Sequence, residues 1–140
     1  MKFYWIILAL LSAFFAALVT IFAKIGIKNI DTTLATTIRV IIMTIFLVSL
    51  SFFLQKWSLI STISSRPLLF IILSGVAGAL SWLFYFWALK FGPAKGVAAL
   101  DRLSIVFVIF LAALFLKESF TIKTVFGIIF LLIGAALLVL

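Results

Sequence analysis

Residues 3–22 read FYWIILALLSAFFAALVTIF, an apolar run without a single charged side chain. A helix that crosses the hydrocarbon core of a bilayer needs about 20 such residues, and this run supplies them. It is too long for the apolar segment of a secretory signal, and it leads into Lys24-Ile25-Gly26 without a clear cleavage site. It therefore reads as a first membrane helix, taken to span residues 3–27. Outward from it, four more runs of comparable length follow at residues 32–54, 67–90, 94–116 and 122–140.

The breaks between runs carry recognisable helix signals. Asp31 is placed to cap the second helix, because a short acidic side chain can accept from the free N–H groups of a first turn. The longest break, Gln55 to Arg66, is rich in serine, and Pro67 suits an opening helical turn. Lys90-Phe91-Gly92-Pro93 reads as a tight turn, glycine supplying unusual dihedrals and proline starting the next helix. In the last break, Lys117-Glu118-Ser119-Phe120-Thr121, the Glu118 carboxylate can favour the positive end of helix five. No stretch remains for a soluble domain. The fold class expected is an all-α membrane protein, one five-helix bundle over residues 1–140, with termini on opposite faces because five is odd.

Composition removes most other classes. At 68% hydrophobic and 10% charged, with mean hydropathy +1.52, the chain lies outside the range of soluble domains. The net charge of +8 does not imply nucleic acid, because the basic residues sit singly at the ends of apolar runs, as interfacial anchors do. Cysteine and histidine are absent, so disulfides, thiol nucleophiles, zinc sites and imidazole relays are excluded. The carboxylates are Asp31, Asp101 and Glu118, too few and too scattered for a paired-carboxylate hydrolase or a metal cage within one copy. No cofactor, metal or catalytic residue is expected, and enzyme is the least supported class.

The charges between the runs are divided almost evenly. One face carries Lys2, Lys56, Arg66, Lys117 and Lys123; the other carries Lys24, Lys28, Lys90 and Lys95, with Arg39 and Arg102 deeper on the same side. Lys and Arg in short loops normally fix orientation, so a near tie specifies topology weakly. The expectation is dual insertion, with two oppositely inserted copies forming the inverted pair typical of secondary transporters. Insertion in a single orientation, set by the first helix or the insertion machinery, is the alternative.

Charges inside the hydrocarbon are costly and single out candidate sites. Arg39 lies eight residues past Asp31, and Asp101 eight past Pro93, each about 12 Å down its helix at 1.5 Å per residue. They can meet at one level if helices two and four are neighbours. Arg102 points about 100° away from Asp101 and does not face it. The cluster reads either as a satisfied ion pair that pins the bundle or as a titratable site in a solute pathway. Lys24 lies about one turn from the end of helix one, able to snorkel to the headgroups or to line a pathway.

Helix three divides into a small-residue half (Ser74, Gly75, Ala77, Gly78, Ala79, Ser81) and an aromatic half (Trp82, Phe84, Tyr85, Phe86, Trp87). Trp82 and Tyr85 share a face at i, i+3, as an interfacial belt or as the wall of a cavity where ring faces attract cations. Helix one carries small-residue stripes through Ala9, Ala13, Ala17 and through Ser12, Ala16, Thr20, suited to a bundle interior. Gly127 and Gly134, beside Ala135, form a possible seam between copies in helix five.

The stretches Ala88-Leu89-Lys90-Phe91-Gly92-Pro93-Ala94, Val97-Ala98-Ala99-Leu100-Asp101-Arg102-Leu103-Ser104 and Phe115-Leu116-Lys117-Glu118 resemble the drug/metabolite transporter superfamily. More narrowly, the chain resembles a single EamA-type domain. Phe22-Ala23-Lys24-Ile25-Gly26, Arg39 and the Gly127–Gly134 stretch fit the same pattern, so the resemblance runs through essentially the whole chain. Members typically carry two such domains in inverted orientation. The resemblance thus implies a half-size form paired as an antiparallel homodimer, moving small metabolites, amino acids or drugs through a cavity walled mainly by helices one to four. It leaves helix five for dimer contacts or the periphery. The related four-helix multidrug exporters rely on a membrane-embedded Glu in helix one, which has no counterpart here, so their proton-coupled antiport is not implied.

The reading taken from the sequence is a multi-pass protein of the cytoplasmic membrane that transports small solutes by alternating access. Arg39, Asp101 and Arg102 set the electrostatics of the pathway, with Trp82, Tyr85, Ser12, Ser81 and Lys24 as further candidates. Its partners are a small-molecule substrate, the bilayer and a second copy. A non-transporting scaffold or accessory subunit and a lipid-linked-substrate flippase subunit are the alternative classes.

Overall fold

The structure, a computed structural model, describes residues 3–140. Lys2, counted above on one face, lies outside the described residues. All regular structure among them is helical: α1 (Tyr4–Gly26), α2 (Thr32–Phe53), a 3₁₀ helix (Lys56–Thr62), α3 (Ser65–Phe91), α4 (Ala94–Asp101), α5 (Ser104–Leu111), a π-helical turn (Ala112–Leu116) and α6 (Ile122–Val139). The segments α1, α2, α3, Ala94–Leu116 and α6 are each long and apolar enough to cross a membrane. The five expected spans are therefore present.

Local chemistry sets the ends. Asp31, in extended backbone, accepts from the Leu34 N–H through Oδ1 at 2.9 Å and starts α2. Pro93 (φ −67°, ψ 142°) starts α4. No described glycine has positive φ, so the turn at Gly92 does not use the left-handed freedom expected of it. The non-glycine residues that do take this conformation are Gln55 (φ 53°) after α2 and Lys117 (φ 56°) after the π turn. Thr121 caps α6: its side chain accepts from the Thr124 N–H at 3.3 Å. Glu118 is exposed in the preceding loop.

The chain divides into two compact units. The first joins α1 up to Lys24 with Phe91–Leu140; the second is Ile25–Lys90. In the first, α4 packs on α6. Gly96, Val97, Ala99 and Ala135 are buried, and a Cβ placed on Gly96 would meet Pro93 Cγ at 3.4 Å and Val139 Cγ2 at 3.8 Å. The Lys24 ammonium donates to the Gly92 carbonyl at 2.8 Å. In the second unit the buried side chains are Ile27, Thr32, Thr36, Phe86 and Leu89, all near the start of α2 and the end of α3. At that end the Lys90 ammonium donates to the Ile30 carbonyl at 3.3 Å. The opposite end is open, with Phe52 and Phe53 75% and 89% exposed around a hollow shared with Gln55, Trp57 and Ser58.

The remaining surface of the spans is apolar and uncovered by protein, as expected where lipid is the solvent. Ala135 is taken up within its own unit, while Gly75, Gly78, Gly127 and Gly134 have open space where a side chain would stand.

Candidate functional site

The second unit gathers three of the candidate residues into one cluster. The Arg39 guanidinium lies 3.6 Å from the centroid of the Trp82 ring and 5.8 Å from that of Phe86. Trp82 in turn meets Tyr85 edge-to-face at 5.6 Å and Phe86 at 6.1 Å. Arg39 reaches the rings from the eighth residue of α2; Trp82, Tyr85 and Phe86 share a face of α3 by i, i+3 and i, i+4 spacing. Trp82 and Tyr85 are half-buried and Phe86 is buried.

A guanidinium at this depth carries a penalty of about 3 kcal/mol on the translocon scale. A desolvated ring face returns about 2 kcal/mol of it. The balance is unfavourable, and the hydrogen bonds add to the deficit. Nη1 of Arg39 is buried and has no hydrogen-bond partner among the described residues, worth a further penalty of about 1–3 kcal/mol. Within its own unit Arg39 is thus held by aromatic rings.

Beside this cluster, α2 and α3 border a groove of about 330 Å³ lined by Thr33, Thr36, Thr37, Val40, Ile41, Ala79, Leu80 and Leu83. Its threonine hydroxyls are partly engaged already: Thr36 donates to the Thr32 carbonyl at 2.8 Å and Thr37 to that of Thr33 at 2.9 Å.

Asp101 and Arg102 belong to the other unit, where both are exposed. They sit at a break in the fourth span. There Leu103 N–H donates to the Leu100 carbonyl (2.9 Å), Ile105 to Arg102 (3.1 Å) and Val106 to Leu103 (2.9 Å), so the winding tightens to 3₁₀ between α4 and α5. Ser12 and Ser81 are exposed on α1 and α3. Lys24 is half-buried and, in donating to the Gly92 carbonyl, ties the end of α1 to the start of the fourth span.

Phe86 and the threonines of the groove were not singled out as site candidates from the sequence. Phe86 follows Trp82 at i+4, a spacing that could have marked it; the threonines carry no such signal.

Comparison with known proteins agrees with this architecture. Residues 3–140 match the EamA-like transporter family. A protein of Sinorhizobium sp, described as an uncharacterized transporter in the cobO 3' region, is 43% identical over 134 residues, which cover 96% of this chain and 95% of that one. No solved structure matches. A match over nearly every residue, on a chain whose helices form five apolar spans, is decisive: this multi-pass membrane protein belongs to the EamA-like transporter family.

Proposed function

We propose that the protein is a secondary transporter of small solutes (metabolites, amino acids or drug-like compounds) in the cytoplasmic membrane. It works by alternating access, and two inverted copies enclose the pathway. The observation that carries the reading is the match of residues 3–140 to a transporter family. The even division of Lys and Arg between the two faces supports the inverted pair. Pathway residues proposed on this basis are Arg39, Asp101 and Arg102, with Trp82, Tyr85, Ser12, Ser81 and Lys24 along the walls. The open end of the second unit beside its packed end supports a molecule whose two ends can differ in access.

Flux in proteoliposomes tests the transport reading: uptake or counterflow of at least one small solute is expected. Absence of flux throughout, with tight association to another membrane protein, would favour a scaffold, and scrambling of a lipid-linked substrate would favour a flippase subunit. Two added lysines on one face should bias insertion and reduce flux, and co-expressing the oppositely biased variant should restore it. Failure of that rescue would count against the inverted pair.

A further inference from the structure

We infer that Arg39 is the docking point for the carboxylate of the transported solute, and that the solute class is small monocarboxylates with an apolar or aromatic body. The inference rests on the transport reading above and names the chemistry of its substrate. Arg39 stands eight residues past Asp31, about 12 Å into the span and below the level of lipid headgroups. Its Nη1 is buried and lacks a hydrogen-bond partner among the described residues.

The aromatic cover does not meet that need. A ring face attracts the guanidinium charge but offers no lone pair to the N–H donors at its edge. What the group lacks is an oxygen acceptor carrying negative charge, and a carboxylate is the smallest solute group that supplies one in fork geometry. Within the unit that holds Arg39 the carboxylate is Asp31, which is occupied at the start of α2. The rings of Trp82, Tyr85 and Phe86 around Arg39 form an apolar wall suited to the body of such a solute. A cationic amine would meet the like charge of the Arg39 guanidinium, which disfavours cationic solutes at this position.

The test uses three probes of nearly equal shape and different charge: benzoate, benzamide and benzamidine. Each is titrated into the protein in nanodiscs of zwitterionic lipid and followed by calorimetry and tryptophan fluorescence. Benzoate should bind at least about tenfold more tightly than benzamide, as expected for a charge-assisted hydrogen bond, and benzamidine should not bind. Arg39→Gln should abolish the preference. Arg39→Lys, which keeps the charge should Arg39→Gln fail to fold, should retain it in weakened form. Trp82→Phe should keep the preference while losing most of the fluorescence response.

Benzoate binding no tighter than benzamide, a preference that survives Arg39→Gln, or preferred binding of benzamidine would each overturn the inference. Repeating the titration in anionic lipid should change nothing; loss of benzoate binding there would assign the position to a lipid phosphate and overturn the solute assignment. Benzoate binding without flux of any solute would fell the transport reading alone. Flux without preference for the anion would fell this inference alone.

Discussion

Arg39 in the second unit and the Asp101-Arg102 pair in the first are both ionisable positions within apolar spans, and the fold treats them in opposite ways. Arg39 lies on an unbroken helix and is covered by rings from the neighbouring one. Asp101 and Arg102 lie where a helix breaks, and both are exposed. A continuous helix satisfies its own backbone and leaves only the side chain to be accommodated, which aromatic rings do in part. A 3₁₀ break tightens the winding instead and changes the direction in which successive side chains point, so Asp101 and Arg102 stand where the helix face shifts. Arg39 is thus covered on an intact helix, whereas Asp101 and Arg102 stand exposed at a change of winding.

The largest expected effect comes from stripping the cover off Arg39. Trp82→Ala should destabilise the protein by about 3–5 kcal/mol, as deletion of a packed aromatic does. A double-mutant cycle with Arg39→Gln should recover about 2 kcal/mol of coupling. Thermal melting in detergent reads both, and additive effects would mean that the ring contact in the structure contributes nothing. Next, Gly96→Leu should overpack the α4–α6 contact by about 1–3 kcal/mol, whereas Gly96→Ala should be tolerated because the nearest atoms stand at ordinary van der Waals distance. The same melts test this pair.

Asp101→Asn sharpens the contrast. It should leave thermal stability in detergent close to wild type, because the side chain is exposed, yet reduce flux well below that of Lys56→Gln at the 3₁₀ helix. Equal flux in the two variants would remove Asp101 from the pathway. The smallest effect is expected from Asp31→Ala, which deletes the 2.9 Å cap on Leu34 and should lower the melting stability by about 1 kcal/mol.

The spans were legible in the sequence because each signal is local. Asp31 caps its own helix, Pro93 starts its own, and a run such as residues 3–22 needs no neighbour to declare itself. The pairing of Trp82 with Tyr85 was legible for the same reason, since both rings lie on one helix face. The cover over Arg39 was not. It joins α2 to α3 across 43 positions of sequence, and no periodicity encodes which helices meet. The sequence offered Asp101 as partner on depth alone, and depth is compatible with many neighbours. The role of Gly92 was over-read, because a glycine before proline can turn without leaving negative φ. Thr121 escaped notice because Glu118 offered a charge argument at the same helix, while the cap depends on a hydroxyl that reaches the Thr124 N–H in the first turn.

The wide turn at Ala112–Leu116 has a consequence for how the chain leaves the fourth span. Lys117 N–H closes back on the Ala112 carbonyl, which also receives the Glu118 N–H at 3.3 Å. A coil wound this loosely holds one residue more than ordinary α winding requires. Shortening it by a residue would turn the point where the chain leaves the span by about 100°, the angular step of one helical residue. The direction in which the chain enters the Lys117–Thr121 loop is therefore set by a surplus residue at the rim of the fourth span.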